Sequence, residues 1–114
     1  MEPGDSPILT HLRRGALEYC VLALLDGPPR YGLDLARRLG TGGLLMTSEG
    51  TLYPLLARLR KNGLVETTWA ESPSGPPRRY YALTPEGRKG LAEFRLVWAQ
   101  FRDEVDTTLE GALP

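Results

Sequence analysis

Short hydroxyl side chains and cations share one stretch near the middle of the chain, and they are the residues best suited to chemistry. Ser48 and Thr51 precede Arg58 and Lys61, and regularly spaced leucines are interleaved with them. Hydroxyls and free backbone N–H groups at a helix start favour phosphate, while arginine and lysine contact base edges or the DNA backbone. The pattern therefore indicates binding to a polyanion rather than the making and breaking of bonds.

Residues suited to catalysis are scarce. The only histidine, His11, has no evident nucleophile or acid to pair with, and the glycine-rich stretch 40–43 matches neither GxGxxG nor GxxxxGK. The single cysteine, Cys20, lies in the apolar run ALEYCVLALL, where packing is a better explanation than redox sensing. One cysteine alone forms neither a disulfide nor a multi-cysteine metal site. We predict no enzyme activity, no cofactor and no metal.

The spacing of the leucines predicts the helix that positions the polar residues. Thr47 or Ser48 caps its start, and Asn62-Gly63 ends it with a left-handed cap. Pro54 removes a backbone donor, so we expect a bent or tightened N-terminal turn. Its apolar face consists of Leu52, Leu55, Leu56 and Leu59. Its opposite, polar face consists of Thr51, Tyr53, Arg58 and Lys61.

Two helices are predicted before this one, of which the second is short. Residues 10–25 repeat leucine and valine at helical spacing and stop at Asp26-Gly27-Pro28-Pro29, and residues 31–39 place leucines one turn apart. Residues 1–9 contain two prolines, a glycine and two acids without apolar periodicity. That composition predicts a flexible arm.

A β-hairpin is predicted to follow. Residues 64–70 and 79–84 are rich in β-branched and aromatic side chains, and the intervening residues 71–78 include three prolines and a glycine. We expect two strands joined by a long irregular tip that presents Arg78 and Arg79 to phosphates or a minor groove. Three helices followed by such a hairpin form a winged helix-turn-helix, whose third helix is suited to a major groove.

The last helix is predicted to be long and to join two copies of the chain. Thr84 is a suitable N-cap, Pro85 suits the first helical position, and a helix reaching residue 109 is roughly 40 Å long. Because such a rod extends past a domain this small, we expect homodimerisation rather than packing onto the first helix. The residues at coiled-coil spacing are Leu91, Phe94, Trp98, Phe101, Val105 and Leu109.

Charge divides along the chain although its formal sum is zero. Residues 11–90 carry twelve Lys or Arg against seven Asp or Glu, whereas residues 91–114 carry two against five. The basic part suits a polyanionic partner. No apolar run approaches the roughly 18 to 20 residues that span a bilayer, and the acidic start lacks a signal peptide's basic region. We therefore expect a cytoplasmic protein with no membrane partner.

These elements predict a mainly α fold with a small β-hairpin. Its parts are a flexible N-terminal arm (1–9), a winged helix-turn-helix DNA-binding domain (10–84), a C-terminal dimerisation helix (85–110) and a tail (111–114). The expected partners are double-stranded DNA and a second copy of the chain.

Four stretches resemble the phenolic-acid-decarboxylase regulator family, PadR, of bacterial winged-helix regulators. They are LRRGALEYCVLALL, YGLDLARRL, SEGTLYPLLARLRKNGLVE and RRYYALTPEGRKGL, and they cover nearly all of residues 12–91. Pro54 also resembles a family feature, and the single last helix resembles the short subtype. The resemblance implies a dimeric transcriptional repressor that binds a roughly palindromic operator and is relieved by an effector.

The resemblance also implies roles for individual residues. Tyr31 looks like a helix-two residue near phosphate, although core packing explains it equally well. Trp98 and Phe101 would line an effector site for small, often flat, aromatic compounds at the dimer interface, with plain core packing as the alternative. Contacts to DNA are implied for Ser48, Gly50, Thr51, Tyr53 and Lys61 in the recognition helix and for Gly75, Arg78 and Arg79 in the wing.

Two other functions fit the residues less well. A winged-helix module that binds proteins instead of DNA would show no salt-dependent DNA binding. A sensor of a nucleotide second messenger needs arginines that converge near the dimer seam, for which Arg13, Arg14 and Arg95 are the candidates.

Overall fold

Leucines from three consecutive helices build the core, as their spacing predicts. The computed structural model describes residues 6–46 and 48–111. Its elements are α1 (Pro7–Leu24), β1 (Arg30–Tyr31), α2 (Gly32–Gly40), α3 (Glu49–Lys61), β2 (Val65–Ser72), β3 (Gly75–Leu83) and α4 (Pro85–Leu109). This order confirms the predicted winged helix-turn-helix with a long C-terminal helix. The most deeply buried side chains are Val21, Leu22, Leu25, Leu35, Leu39, Leu52, Leu56 and Leu59.

Helix α1 begins earlier than its apolar pattern indicates. The hydroxyl of Ser6 accepts a hydrogen bond from the Ile8 N–H at 3.2 Å, and Pro7 takes a first-turn position where no backbone donor is needed. The predicted arm over residues 1–9 was therefore wrong for residues 7–9, which are helical. The remaining residues 1–5 lie outside the described part of the chain.

A third strand, which the sequence analysis missed, precedes α2. Arg30 pairs with Tyr81 and Tyr31 pairs with Tyr80, giving the antiparallel sheet order β1-β3-β2. Tyr31 was predicted to be the first residue of the second helix, but it lies in β1 and is the N-cap residue that precedes α2. A strand of two residues is too short to produce an alternating pattern, so only its partner strand identifies it.

Helix α3 follows the predicted bounds. The Ser48 hydroxyl accepts a hydrogen bond from the Gly50 N–H at 3.1 Å, Asn62 is the C-cap, and Gly63 adopts a left-handed φ of 78°. The helix continues through Pro54 to Lys61. Thr47, the alternative cap, lies outside the described residues.

The hairpin is longer and more regular than predicted. Residues 71–78 were expected to be irregular, yet β2 reaches Ser72 and β3 starts at Gly75, with a register irregularity between Ala70 and Ser72. Because β1 is only two residues long, the outer part of β3 has no strand on its second side. A proline that faces away from β2 interrupts no ladder there, and Pro76 and Pro77 together stand opposite the single residue Glu71 of β2 at the register irregularity.

Helix α4 is fixed to the domain at its first turns. The Thr84 hydroxyl accepts a hydrogen bond from the Gly87 N–H at 3.0 Å and donates one to the Gly63 carbonyl at 2.6 Å. Leu91, predicted to lie in the dimer seam, is buried in the chain's own core, and Phe94 stacks on Tyr19 of α1 with ring centroids 4.2 Å apart. Both differ from the prediction because the first three turns of α4 lie against α1 and the sheet.

Candidate nucleic-acid interface

The exposed face of α3 is wide and has two edges. Each residue of a helix turns by about 100°, so Tyr53 lies at one edge, Thr51 and Arg58 lie at the other, and Lys61 lies between them. All four side chains are exposed, while the leucines on the remaining side are buried. The predicted polar face therefore exists, and it borders a different groove at each edge.

Glycine at the start of α2 allows Tyr53 to lie where it does. A Cβ atom at Gly32 would come within 2.7 Å of the Tyr53 ring. Burial, followed by the negative charge of Glu49, raises the pKa of Tyr53 above its usual range. A tyrosine hydroxyl is protonated at neutral pH even without this shift, so Tyr53 is available to donate a hydrogen bond.

The two wing arginines are neighbours on β3, which pairs with β2, and each stacks on an aromatic ring. The Arg78 guanidinium carbon is 4.4 Å from the centre of the Tyr31 ring, and that of Arg79 is 5.1 Å from the centre of the Trp69 ring. Sequence reasoning placed both arginines in an irregular tip, but they pair with Ala70 and Trp69 inside the hairpin. Stacking on a ring orients a guanidinium before any ligand arrives.

Together these side chains line a groove of about 300 Å³, here called the wing cleft. Trp69 was missed by sequence reasoning, although it is 66% exposed. The available signal was strand alternation, since Trp69 lies two and four residues beyond Thr67 and Val65 on the same face. The wing cleft is lined by Tyr31, Gly32, Leu33, Tyr53, Trp69, Arg78, Arg79 and Tyr81.

A second groove, here called the α1/α3 groove, borders the other edge of α3. Thr51 and Arg58 meet Arg13 and Arg14 of α1 there, around a volume of about 390 Å³. Glu18 is the one acid in its lining. The full lining is Thr10, Arg13, Arg14, Leu17, Glu18, Leu45, Met46, Thr51, Pro54, Leu55 and Arg58.

Several arginines outside the two grooves are held in ion pairs. Arg30 and Arg38 pair with Asp34, and Arg95 pairs with Asp26 at 3.1 Å. Within residues 6–46 and 48–111, the cations that line the grooves or the exposed face of α3 form no ion pair. These are Arg13, Arg14, Arg58, Arg60, Lys61, Arg78 and Arg79, and elsewhere in the described chain Arg37, Arg88 and Lys89 are likewise unpaired.

Comparison with known proteins agrees with the fold and with this geometry. The sequence profile of the transcriptional regulator PadR-like family matches residues 21–93. The chain belongs to the PadR-like family. It is 36% identical to a PadR-like transcriptional regulator from Bacillus cereus, whose crystal structure superposes with a TM-score of 0.79 over 87% of this chain and 96% of that one.

Two further relatives extend the PadR-like match across almost the whole chain. A PadR-like transcription factor from Bacteroides fragilis is 39% identical, with a TM-score of 0.72 over 90% of this chain and 99% of the other. A transcriptional regulator of Mycobacterium tuberculosis is 32% identical over 97 residues, covering 85% of this chain and 89% of that protein. This PadR-like protein is accordingly a transcriptional regulator rather than an enzyme.

Helix α4 of this PadR-like chain leaves much of its predicted seam uncovered. Phe101 is 59% exposed and Leu109 is 80% exposed, and Trp98 and Val105 are also exposed. Sequence reasoning missed Val97 and Leu12, which are exposed on the same side as Trp98 and share a groove with it. The apolar surface of α4 thus continues onto α1.

Three other expectations concern chemistry that does not belong to this interface. Burial raises the pKa of the Cys20 thiol, which makes it less reactive and agrees with a packing role. No cluster of three metal-ligating side chains occurs in the described ranges 6–46 and 48–111. Over the same ranges, no helix is long and apolar enough to cross a membrane.

Proposed function

We propose that this PadR-like protein is a homodimeric repressor that binds DNA with α3 in the major groove and the β2–β3 wing beside it. The observation that carries the proposal is the shared lining of the wing cleft. Tyr53 of α3 and the stacked arginines 78 and 79 border one space, and Lys61 is exposed on the same helix as Tyr53. Hydrogen-bond donors on a helix and cations on an adjacent hairpin suit base edges and backbone phosphates, respectively.

The uncovered face of α4 supports dimerisation. A helix of 25 residues is about 37 Å long, and its apolar side chains beyond Phe94 contact too little of their own chain to be buried. A second copy related by a two-fold axis would cover them with the same residues. It would also place the two copies of α3 to read major grooves one helical turn apart, about 34 Å.

Lys61 lies between the two edges of the exposed face of α3, and its removal is the most specific test of the DNA-binding surface. Lys61→Ala is expected to weaken binding of the operator about 10-fold and to reduce the slope of log K against log salt by about 1.8, the effect of two lost phosphate contacts, one in each protomer of the dimer. Fluorescence anisotropy titrations at several salt concentrations measure both quantities. Lys61 is exposed, so its truncation should leave the fold unchanged.

The matched control removes an equally exposed cation far from α3. Arg102 lies near the end of α4 and pairs with its neighbour Asp103, so Arg102→Ala should leave the salt slope unchanged. Equal losses in both variants would mean that only general charge matters, and the assignment of α3 as the recognition helix would be wrong.

Relief by an effector is the second part of the proposal, and an apolar groove between α1 and α4 supports it. The groove encloses about 400 Å³ and includes Phe94, Trp98 and Phe101. The ring centroid of Trp98 is 5.9 Å from that of Phe94 and 6.4 Å from that of Phe101. Flat aromatic compounds suit such a surface. A compound that binds one arrangement of the dimer more tightly than another shifts DNA affinity by the ratio of its two affinities.

Tryptophan fluorescence tests this groove in the absence of DNA. In Trp69→Phe protein, proflavine is expected to quench the emission of Trp98 saturably, because Trp98 lines the groove. In Trp98→Phe protein, where Trp69 remains in the wing, the same titration should give no saturable quenching. Identical titrations for the two variants would contradict an aromatic site at Trp98.

The nucleotide-sensor alternative receives less support from the geometry. It requires arginines that converge on the dimer seam, but Arg13 bonds to the Leu44 carbonyl and lines the α1/α3 groove. Arg95 instead pairs with Asp26 beyond the opposite end of α1. Arg13 and Arg14 therefore line one groove, while Arg95 lies on a different surface.

A further inference from the structure

We propose that the α1/α3 groove is a second phosphate-binding site, which takes a phosphate of the DNA backbone on the side of α3 away from the wing. The inference rests on the proposed function, since it presupposes that α3 enters a major groove. It adds Arg13 and Arg14 of α1 and assigns Arg58 and Thr51 to the backbone rather than to bases.

The chemistry of the lining suits an anion. Arg13, Arg14 and Arg58 face one acid, Glu18, and the hydroxyls of Thr10 and Thr51 add two neutral donors. The floor is apolar, made of leucines and Met46, so the cations lie at the border of a surface with low dielectric. An ion pair with phosphate is stronger in such a place than on an open surface.

Arg13 provides the most specific observation. Its Nε donates a hydrogen bond to the Leu44 carbonyl at 2.6 Å, which ties α1 to the loop leading into α3 and fixes the guanidinium. Its Nη2 is buried and has no hydrogen-bond partner among the described residues. A buried donor without an acceptor costs free energy, so an arriving phosphate oxygen would remove that cost after a small movement of the side chain.

The position of the groove fits the shape of DNA. A helix in the major groove, which is about 12 Å wide, lies between two sugar-phosphate backbones. The wing cleft borders the Tyr53 edge of α3, and the α1/α3 groove borders the edge formed by Thr51 and Arg58. One arginine-lined groove therefore lies on each side of the recognition helix, where one backbone each would run.

The test combines protein variants with DNA in which single phosphates are uncharged. Arg14 and Arg58 are exposed, so the double variant Arg14→Gln/Arg58→Gln should fold normally. It is expected to lower the salt slope by about 3.6, two phosphate contacts in each protomer of the dimer, while Arg102→Gln leaves the slope unchanged. On duplexes with one methylphosphonate, the loss caused by the double variant should shrink at one or two adjacent backbone positions.

Free phosphate compounds distinguish the source of the phosphate. Calorimetry in the absence of DNA is expected to show that pyrophosphate and ATP do not bind in the α1/α3 groove. Binding in this groove would be saturable and would be abolished by the double variant. Such binding with an unchanged DNA salt slope would assign the groove to a free anion and overturn the proposal. The proposal would also be overturned if the double variant left the DNA salt slope unchanged and its effect were strictly additive with that of each methylphosphonate. Wild-type protein that binds no DNA would instead refute the proposed function itself.

Discussion

Phe101→Asp is expected to convert the dimer into single chains and to weaken operator binding by at least about 100-fold. Phe101 is largely exposed on α4, so the free chain tolerates a carboxylate there. In a two-fold dimer the substitution buries two unpaired carboxylates near each other, and one buried unpaired charge already costs about 3 to 5 kcal/mol. Analytical ultracentrifugation measures the mass of the assembly, and anisotropy measures the loss of DNA affinity.

Gln100→Asp is the matched control for this prediction. Gln100 is also exposed, but it precedes Phe101 by one residue and is turned about 100° around the helix axis. We expect Gln100→Asp to remain dimeric and to bind DNA like the unmodified protein. A dimer that persists in Phe101→Asp would show that α4 does not form the interface through this face.

Gly87→Ala is expected to destabilise the fold by about 3 kcal/mol, the upper part of the range for overpacked sites. A Cβ atom at residue 87 would lie 2.1 Å from the Leu64 carbonyl oxygen and 3.0 Å from a methyl carbon of Leu83. The carbonyl belongs to the backbone and accepts the Thr84 N–H, so it has little freedom to move. Urea denaturation followed by circular dichroism measures the free energy of unfolding.

The same helix supplies the control for this substitution. Nothing lies within 4 Å of the position that a Cβ atom would take at Gly90. Gly90→Ala should therefore stabilise the protein by up to about 1 kcal/mol, the gain in helix propensity. Equal destabilisation of both variants would contradict the close approach of α4 to residue 64.

Helix α3 and the start of α4 could be predicted from the sequence because each has a complete local signal, whereas the starts of α1 and α2 were placed wrongly. Leucines at spacings of three and four identify α3, Ser48 and Asn62-Gly63 mark its ends, and Thr84-Pro85 marks the start of α4. The fold class, the family and these helix ends are confirmed. The boundaries of the DNA-binding domain (10–84) and the dimerisation helix (85–110) stay predictions.

What the sequence could not reveal depends on contacts between distant segments. Strand β1 is recognisable only through its pairing with β3, and the prolines of the wing were misleading because they lie at a register irregularity of the hairpin, where β3 has no strand on its outer side. Leu91 fits the coiled-coil spacing as well as Phe101 does, but only Leu91 is buried in the chain's own core. Periodicity identifies an apolar face without identifying what covers it.

The residues of the candidate interface also divide into those that the sequence reveals and those that only the three-dimensional structure reveals. The sequence identified Tyr53, Lys61, Arg78 and Arg79, since their types and order suffice. It missed Trp69 and the α1/α3 groove, because both require α1, α3 and the hairpin to be placed in space.

Selection of bound duplexes from a random DNA library by the purified protein, followed by sequencing, tests the central claim most directly. We expect enrichment of an inverted repeat whose half-sites are centred about 10 base pairs apart, matching two copies of α3 on one face of the duplex. Raising the salt concentration during selection should reduce recovery of all sequences while sharpening the motif. Recovery of DNA without any enriched sequence, or with a motif lacking two-fold symmetry, would contradict a homodimeric sequence-specific regulator.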